Sequence, residues 1–168
     1  MVVSNRQDDY WRLTEYKSET DGAGRMKVKK IYRGFIINDV NAVCETVRGI
    51  VSYLENSIGI NSDQSFDVKI ILNELLQNAI EHGNLLNGKK KVFMDVRIRE
   101  KDVLNITIKD QGQGFDVGKV LSMKNDHINC DILELPECGR GIQIVRSLCD
   151  DITFNQRGNC ITVKKRLL

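Results

Sequence analysis

A chain of 168 residues is long enough to form one domain with its own hydrophobic core. Its 25 basic and 23 acidic residues nearly balance, which excludes the strongly basic composition of a dedicated nucleic-acid binder. No stretch approaches the ~20 apolar residues of a membrane-spanning helix, and the N-terminus lacks the apolar core of a signal peptide. We therefore expect a soluble, cytoplasmic protein that binds neither nucleic acid nor membranes.

The first predicted elements are an N-terminal appendage, a strand and a helix. Residues 1–25 contain a few aromatic side chains and end in a glycine-containing linker, so we interpret them as an appendage that either forms an interface or caps the sheet. Residues 27–37 are β-rich. Asp39 can cap a helix that ends near Gly59. The apolar stripe of this helix consists of Val40, Val43, Val47, Val51, Leu54 and Ile58.

A second helix is predicted from about Ser62 to His82, because a broad apolar face repeats at helical spacing and Gly83 follows it. This apolar face comprises Phe66, Ile70, Ile71, Leu72, Leu75, Leu76, Ala79 and Ile80. After this helix, apolar residues occupy every second position over 92–99 and 104–109, and apart from Phe93 the positions between them are polar. Such alternation predicts an antiparallel hairpin with one buried face.

The remaining chain combines a long connection with a third helix and a second hairpin. Residues 116–138 show no periodic pattern, and a connection of this length within a small domain is typical of a lid or mobile loop. A helix from about Arg140 to Cys149 and a hairpin at 152–166 follow. These elements predict an α+β fold: a two-layer α/β sandwich with a mixed, mostly antiparallel sheet and helices on one face.

Three polar clusters are candidates for a functional site. On the second helix, Glu74, Asn78 and His82 recur every four residues and therefore line one side. A polar helix edge is an ordinary structural explanation for such a row. However, a carboxylate and a carboxamide one turn apart can also bind Mg²⁺ and accept a proton.

The second and third clusters contain glycine. Asp110, Gly112 and Gly114 follow a strand, where glycine lets a ligand approach the backbone and a carboxylate can accept a hydrogen bond from an amine. Residues 139–141 read Gly-Arg-Gly at a predicted helix start, whose free N–H groups can bind an anion. A plain turn and a plain hinge are the alternative explanations for these two segments.

Taken in this order, the three clusters resemble the N, G1 and G2 boxes of the GHKL (Bergerat-fold) ATPase superfamily. The resemblance covers residues 28–168. Segments 73–83 and 139–145 are especially similar to the N and G2 boxes of the bacterial anti-sigma factor serine/threonine kinases. The resemblance implies a Bergerat ATP-binding domain at 26–168, with residues 116–138 as its ATP lid and with ATP and Mg²⁺ as cofactors.

The resemblance also implies a role for each matching residue. Asn78 would coordinate Mg²⁺, Glu74 would act as general base or orient the nucleophile, and Asp110 would accept a hydrogen bond from the adenine amine. The other residues that it assigns to the nucleotide site are His82, Gly112, Gly114, Gly139, Arg140, Gly141 and Ile142. One departure is visible in the last hairpin, where the family commonly has threonine after the glycine, whereas here Asn159 follows Gly158.

The function implied by the resemblance is that of a Mg-ATP-dependent serine/threonine protein kinase, an anti-sigma factor that phosphorylates an anti-anti-sigma protein. Its partners would be a sigma factor, the anti-anti-sigma antagonist or both, and it would form a homodimer. A non-catalytic ATP-binding module that switches partners and a histidine-kinase-like ATPase are the alternatives. Glu74 favours the serine/threonine kinase, because histidine kinases more often carry asparagine at that position.

Overall fold

The computed structural model describes residues 19–20, 26–99, 102–118 and 137–167. Within these ranges it contains one six-stranded sheet and three α-helices. In chain order, the elements are β1 (Glu19–Thr20), β2 (Met26–Ile37), α1 (Val40–Ile58), α2 (Ser62–Asn78), β3 (Lys91–Arg99), β4 (Val103–Lys109), α3 (Glu137–Leu148), β5 (Asp151–Phe154) and β6 (Cys160–Arg166).

The strands follow the order β1-β2-β3-β4-β6-β5, and every pairing among the described strands is antiparallel. Two helices between β2 and β3 return the chain in the opposite direction, so these neighbours are antiparallel. β4 and β5 run parallel, but β6 lies between them. The predicted α+β sandwich with a mostly antiparallel sheet is thus confirmed, and the pairings among the described strands are all antiparallel.

The hydrophobic core lies between the helices and one face of the sheet. α2 packs between α1 and α3 and is the helix with the most fully buried side chains. Its inward face includes Val68, Leu72 and Leu76, which are 0% exposed. On the sheet, Val96 and Ile106 are also 0% exposed and occupy paired positions on β3 and β4. The core therefore fixes α2 on the sheet.

Two residues predicted on inward helix faces are exposed. Val40 is 77% exposed, because it is the first residue of α1. Phe66 is 63% exposed, and it precedes the buried Val68 by two positions, or about 200° around an α-helix. The prediction that Phe66 lies on the buried face of α2 is therefore wrong, because the face that contains Val68 is buried.

The helix ends follow the capping signals in the sequence. The Asp39 side chain accepts a hydrogen bond from the Ala42 backbone N–H at 2.9 Å, and Gly59 ends α1 with φ +81°. Asn61 and Gln64 form a reciprocal capping box at the start of α2, with both hydrogen bonds at 2.9 Å. These caps set the bounds of the helices that carry the candidate residues.

Two predicted segments fall mainly outside the described residues. Of the predicted appendage, the structure describes the strand β1, which pairs with β2. Of the predicted lid, it describes 116–118 and 137–138, and α3 begins at Glu137 instead of Arg140. Within the ranges given above, no helix has the length and apolar character needed to span a bilayer.

Candidate functional site

Glu74 and Asn78 lie one turn apart on α2, and both residues are half-buried. Residues four positions apart share a helix face. Within the described ranges, neither side chain has a hydrogen-bond or ion-pair partner, and the Nδ2 atom of Asn78 is buried. A buried polar atom without a partner costs about 1–3 kcal/mol. A ligand that offers an acceptor to this amide would therefore be favoured.

α3 brings the third predicted cluster to this pair. Gly141 is buried, and a Cβ atom at its position would lie 2.5 Å from Glu74 Oε2 and 3.1 Å from Asn78 Nδ2. Glycine is therefore the residue that leaves room for both side chains. Gly139 and Arg140 precede it in the first turn of α3, where helix N–H groups lack intrahelical acceptors. The clusters on α2 and α3 thus converge.

The predicted second helix changes its geometry before it ends. α2 stops at Asn78, and Ala79–Gly83 form a π-helical turn whose backbone hydrogen bonds span five residues. His82 lies in this turn, beyond the α-helical part that carries Glu74 and Asn78. His82 is exposed. Its assignment to the nucleotide site stays a prediction.

The end of the π-helical turn meets Asp110. The Asp110 carboxylate lies against the Cα atom of Gly83, where a Cβ atom would overlap it, and a Cβ atom at Gly112 would overlap the Gly83 carbonyl oxygen. Both glycines permit this close approach of two backbones. Gly83 lies five residues after Asn78, which is less than about 8 Å along a helix axis. The second cluster therefore joins the other two beside α2.

Hydrogen bonds fix the backbone and one carboxylate oxygen of Asp110. Its N–H donates to the Asn159 carbonyl at 3.1 Å, and its carbonyl accepts from Asn159 Nδ2 at 3.1 Å. Its Oδ1 atom accepts from the Gly112 N–H at 2.7 Å. Among the residues that the structure describes, none donates to Oδ2. Asp110 therefore presents one free acceptor at a fixed position.

The electrostatic environment of Asp110 distinguishes it from a surface carboxylate. Burial raises its pKa, since desolvation disfavours the charged form. The Gly112 N–H and the positive charges of Lys90 and Arg157 oppose this effect, but the pKa remains raised. A carboxylate that burial leaves incompletely solvated gains from a ligand donor. Asp110 is thus suited to accept a hydrogen bond from a bound molecule.

The loop after Asp110 is docked on the turn between β5 and β6. Gly114 has φ +81°, and a Cβ atom there would overlap the Arg157 carbonyl oxygen. Gly158 has φ +73°, and a Cβ atom there would overlap the Phe115 carbonyl oxygen. The Phe115 and Phe154 rings pack edge to face at 5.5 Å. The last hairpin therefore forms one wall of the site.

Sequence reasoning missed two buried asparagines. Asn84 is 0% exposed, and its Oδ1 atom accepts from the Gln111 N–H at 2.9 Å, which ties the loop after β4 to the end of the π-helical turn. Asn159 is 5% exposed and binds Asp110 as described above. The available signal was that each asparagine directly follows a turn glycine. Asn159 occupies the position where the family commonly has threonine, and its side chain forms hydrogen bonds to Asn155 and Asp110.

The remaining predicted residues have less defined environments. Ile142 is half-buried and packs against the hydrophobic core. Arg140 is also half-buried, at the start of α3. Gly139 lies in the first turn of α3, next to Arg140. The structure therefore brings Glu74, Asn78 and Gly141 of α3 together, whereas Ile142 is a packing residue of the core.

These residues fit a nucleotide with a divalent cation. The unpartnered carboxamide of Asn78 offers an oxygen to a cation and an N–H group to a phosphate. Mg²⁺ commonly binds through one or two protein oxygens together with phosphate oxygens, so this small donor set is sufficient. The free Oδ2 atom of Asp110 can accept a hydrogen bond from the amine of a base. The N–H groups at the start of α3 can donate to an anion.

The fold and the three clusters together define an α+β sandwich of the GHKL type. The family model described as histidine kinase-like ATPase domain matches residues 38–165. Because this match spans most of the chain, the protein belongs to that family.

Relatives from several bacteria align with most of the chain. It is 28% identical to the serine-protein kinase RsbW of Oceanobacillus iheyensis over 117 residues, covering 68% of this chain and 73% of that protein. It is 28% identical to the anti-sigma F factor of Bacillus velezensis over 125 residues, covering 73% and 80%. A histidine kinase domain from Erythrobacter litoralis matches with TM-score 0.45 and 17% identity, over 74% of this chain and 61% of that one.

The first prediction concerns the space beside Gly141. In Gly141→Ala, the new Cβ atom displaces the carboxylate of Glu74 and the amide of Asn78, while the helical backbone accepts alanine and gains up to about 1 kcal/mol. We expect the variant to fold but to bind Mg-ATP about tenfold more weakly or worse. In thermal unfolding, the stabilisation at 100 times the wild-type Kd should fall from about 2.7 to about 1.4 kcal/mol or less.

Gly49→Ala is the matched control for Gly141→Ala. Gly49 also lies inside a helix, but no atom lies within 4 Å of its added Cβ position. It should gain helix stability and keep full nucleotide stabilisation. Equal nucleotide responses of the two variants would contradict the convergence of α2 and α3 on the ligand.

The second prediction concerns the charge on Asp110. The folded protein holds the pKa of Asp110 above its ordinary value of about 3.9, so ionisation costs stability. This cost is fully present above the raised pKa and vanishes below about pH 3.9. Asp110→Asn should therefore be more stable than the wild type at pH 7.5 without nucleotide, and its advantage should shrink as the pH falls. Urea unfolding across this range measures the difference, and an advantage independent of pH would contradict the prediction.

Proposed function

We propose that this protein is a Mg-ATP-dependent serine/threonine protein kinase that regulates a protein partner, as an anti-sigma factor that phosphorylates an anti-anti-sigma protein. The observation that carries this proposal is the half-buried Glu74 carboxylate, which lies next to Gly141 one turn before Asn78 and has no partner within the described ranges. The names of the relatives, serine-protein kinase and anti-sigma F factor, support the same function.

Asn78 and the start of α3 form the phosphate end of the proposed site. The Oδ1 atom of Asn78 is a neutral oxygen of the kind that would hold Mg²⁺, and the ion would neutralise charge on the phosphate oxygens. Gly139 and Gly141 let phosphate approach the N–H groups at the positive end of the helix. Arg140 adds a positive charge beside them. Together these groups hold the transferred phosphate in place.

Glu74 is the proposed general base. The hydroxyl oxygen of a serine or threonine on the partner bonds to the γ-phosphorus, ADP leaves with the electron pair of the broken P–O bond, and the hydroxyl proton moves to Glu74. Phosphoryl transfer requires mainly positioning and charge neutralisation, so one base at this place is sufficient. A carboxylate without an ion-pair partner is available to take the proton.

Asp110 forms the adenine end of the proposed site. Its Oδ2 atom accepts a hydrogen bond from the 6-amino group, while Gly112 and Gly114 shape the loop around the base. Gly83 lies directly against the carboxylate, so the turn after α2 and the loop after β4 approach each other closely at this end of the site. Asn78 is the last residue of α2, and Asp110 contacts Gly83 at the end of the following turn. The bound nucleotide would therefore point its base towards Asp110 and its phosphates towards Asn78.

The proposed setting is the cytoplasm, with a sigma factor, its antagonist or both as protein partners. The catalytic domain spans 26–168, with an ATP lid at 116–138 and an appendage at 1–25, and it acts as a homodimer. Direct nucleic-acid or membrane binding is not part of this function. The near balance of 25 basic and 23 acidic residues supports that view.

The third prediction tests Glu74 as the base. Glu74→Gln keeps the size of the side chain but cannot accept the hydroxyl proton, so phosphoryl transfer should fall by roughly 10²- to 10⁴-fold. Nucleotide binding should remain, since the phosphate contacts come from Asn78 and α3. Labelled ATP and a co-purified protein partner measure transfer, and thermal unfolding with Mg-ATP measures binding.

Glu45→Gln is the control for Glu74→Gln, because Glu45 is an exposed glutamate on the neighbouring helix α1. It should transfer phosphate at the wild-type rate. Equal transfer by Glu74→Gln would remove the proposed base. Nucleotide binding without any transfer by the wild type would instead favour the non-catalytic module.

The fourth prediction tests Asp110 as the base receptor. In Asp110→Asn, the Gly112 N–H requires an oxygen at the Oδ1 position, so the amide nitrogen occupies the place of Oδ2. A donor then faces the base and suits the 6-oxo group of inosine triphosphate. The affinity for ATP should fall by about 10- to 100-fold, while the affinity for inosine triphosphate rises relative to it. Competition binding measures both, and an unchanged preference for ATP would contradict the assignment.

A further inference from the structure

A chain of hydrogen bonds connects the turn before β6 to the backbone of Asp110. The Asn155 side chain donates from Nδ2 to Asn159 Oδ1 at 2.9 Å, and Asn159 donates from Nδ2 to the Asp110 carbonyl at 3.1 Å. Asn159 is 5% exposed, whereas Asn155 is exposed. The exposed Asn155 thus orients the buried Asn159 amide, which donates to the Asp110 backbone.

The orientation of both amides is determined by their partners. The Oδ1 atom of Asn155 accepts from the backbone N–H groups of Asn159 and Cys160, both at 3.1 Å, so its Nδ2 must face Asn159. Asn159 must then present its oxygen to Asn155 and its nitrogen to Asp110. Rotating either amide by 180° would place two donors or two acceptors against each other.

A third asparagine, Asn84, fixes the other side of the same loop. Asn84 accepts from the Gln111 N–H at 2.9 Å, next in the chain to Asp110. The Asp110 backbone is therefore held on both sides, and one side-chain oxygen is occupied by Gly112. Oδ2 is the one carboxylate oxygen to which no described residue donates.

We propose that Asn159, oriented by Asn155, is a positioning residue that places Asp110 Oδ2 for the 6-amino group of a bound purine and so sets the selectivity for adenine. This inference rests on the proposed ATP site. Both the oxygen and the nitrogen of the Asn159 amide are hydrogen-bonded within the protein. Asn159 therefore acts through Asp110 and does not contact the base. The strength of a hydrogen bond falls steeply with distance and angle, so a displaced Asp110 backbone weakens recognition of the amine in particular.

Asn155→Asp is the main test variant. One oxygen of the new carboxylate still accepts from both backbone N–H groups, and the other faces Asn159 and forces its amide to rotate, which puts an oxygen against the Asp110 carbonyl. Because residue 155 is exposed, the variant should fold, and a urea midpoint near that of the wild type checks this. Gln156→Glu adds the same charge at the next exposed position of the turn and is the matched control. Asn159→Ala is a second variant that removes the donor directly.

The measurement compares the Kd values for Mg-ATP and for Mg-purine riboside triphosphate, which lacks the 6-amino group. The wild type should prefer ATP by about 10- to 100-fold, the value of a hydrogen bond to a charged acceptor. Asn155→Asp and Asn159→Ala should each reduce this preference about tenfold while they keep the affinity for the analogue within about threefold. Gln156→Glu should keep the wild-type ratio.

The possible results separate the inference from the proposed function. Equal losses of both nucleotides in Asn155→Asp and Asn159→Ala would show that the asparagines only stabilise the fold, and would overturn the inference. A wild-type preference for ATP that neither variant changes would overturn it as well. Binding of neither nucleotide by the folded wild type would overturn the proposed ATP site itself.

Discussion

The site depends on the close approach of two backbone segments to α2 and the turn that extends it. A Cβ atom at Gly141 would collide with Glu74 and Asn78, and a Cβ atom at Gly83 would collide with Asp110. At Gly141 an added Cβ atom would displace the ends of two side chains, whereas at Gly112 it would meet the backbone oxygen of Gly83, so glycine is the residue that permits the arrangement. α2 serves as the fixed reference because it packs between the other two helices over the sheet.

The two carboxylates of the site have different environments and therefore different uses. Asp110 is held by backbone hydrogen bonds at a defined position, and burial raises its pKa, so it is suited to accept from a fixed donor. Glu74 is half-buried and unpartnered within the described ranges, which suits its proposed role as the general base. The proposed kinase function uses both kinds of acceptor, one for binding and one for the transfer step.

Much of the fold could be predicted because local signals and global packing agree. Asp39 and Gly59 cap α1 as expected, and the alternating residues of 92–99 and 104–109 form paired strands. The errors arise where packing overrides local pattern. Phe66 is apolar yet exposed, since the rotation of α2 is set by Val68 and the residues that follow it. The strand order also depends on packing, because β6 lies between β4 and β5, which run parallel to each other.

For the site, the sequence by itself determined the chemistry available within single elements: a carboxylate and a carboxamide four residues apart on a helix, a carboxylate followed by glycines after a strand, and glycines near the start of another helix. Helical and strand periodicity fix such relations because they depend on backbone geometry alone. Only the tertiary structure decided which of these groups meet. The π-helical turn that brings Gly83 to Asp110, and the buried Asn84 and Asn159 that hold the loop, depend on contacts between residues as many as 49 positions apart. Such contacts form only when the whole chain packs.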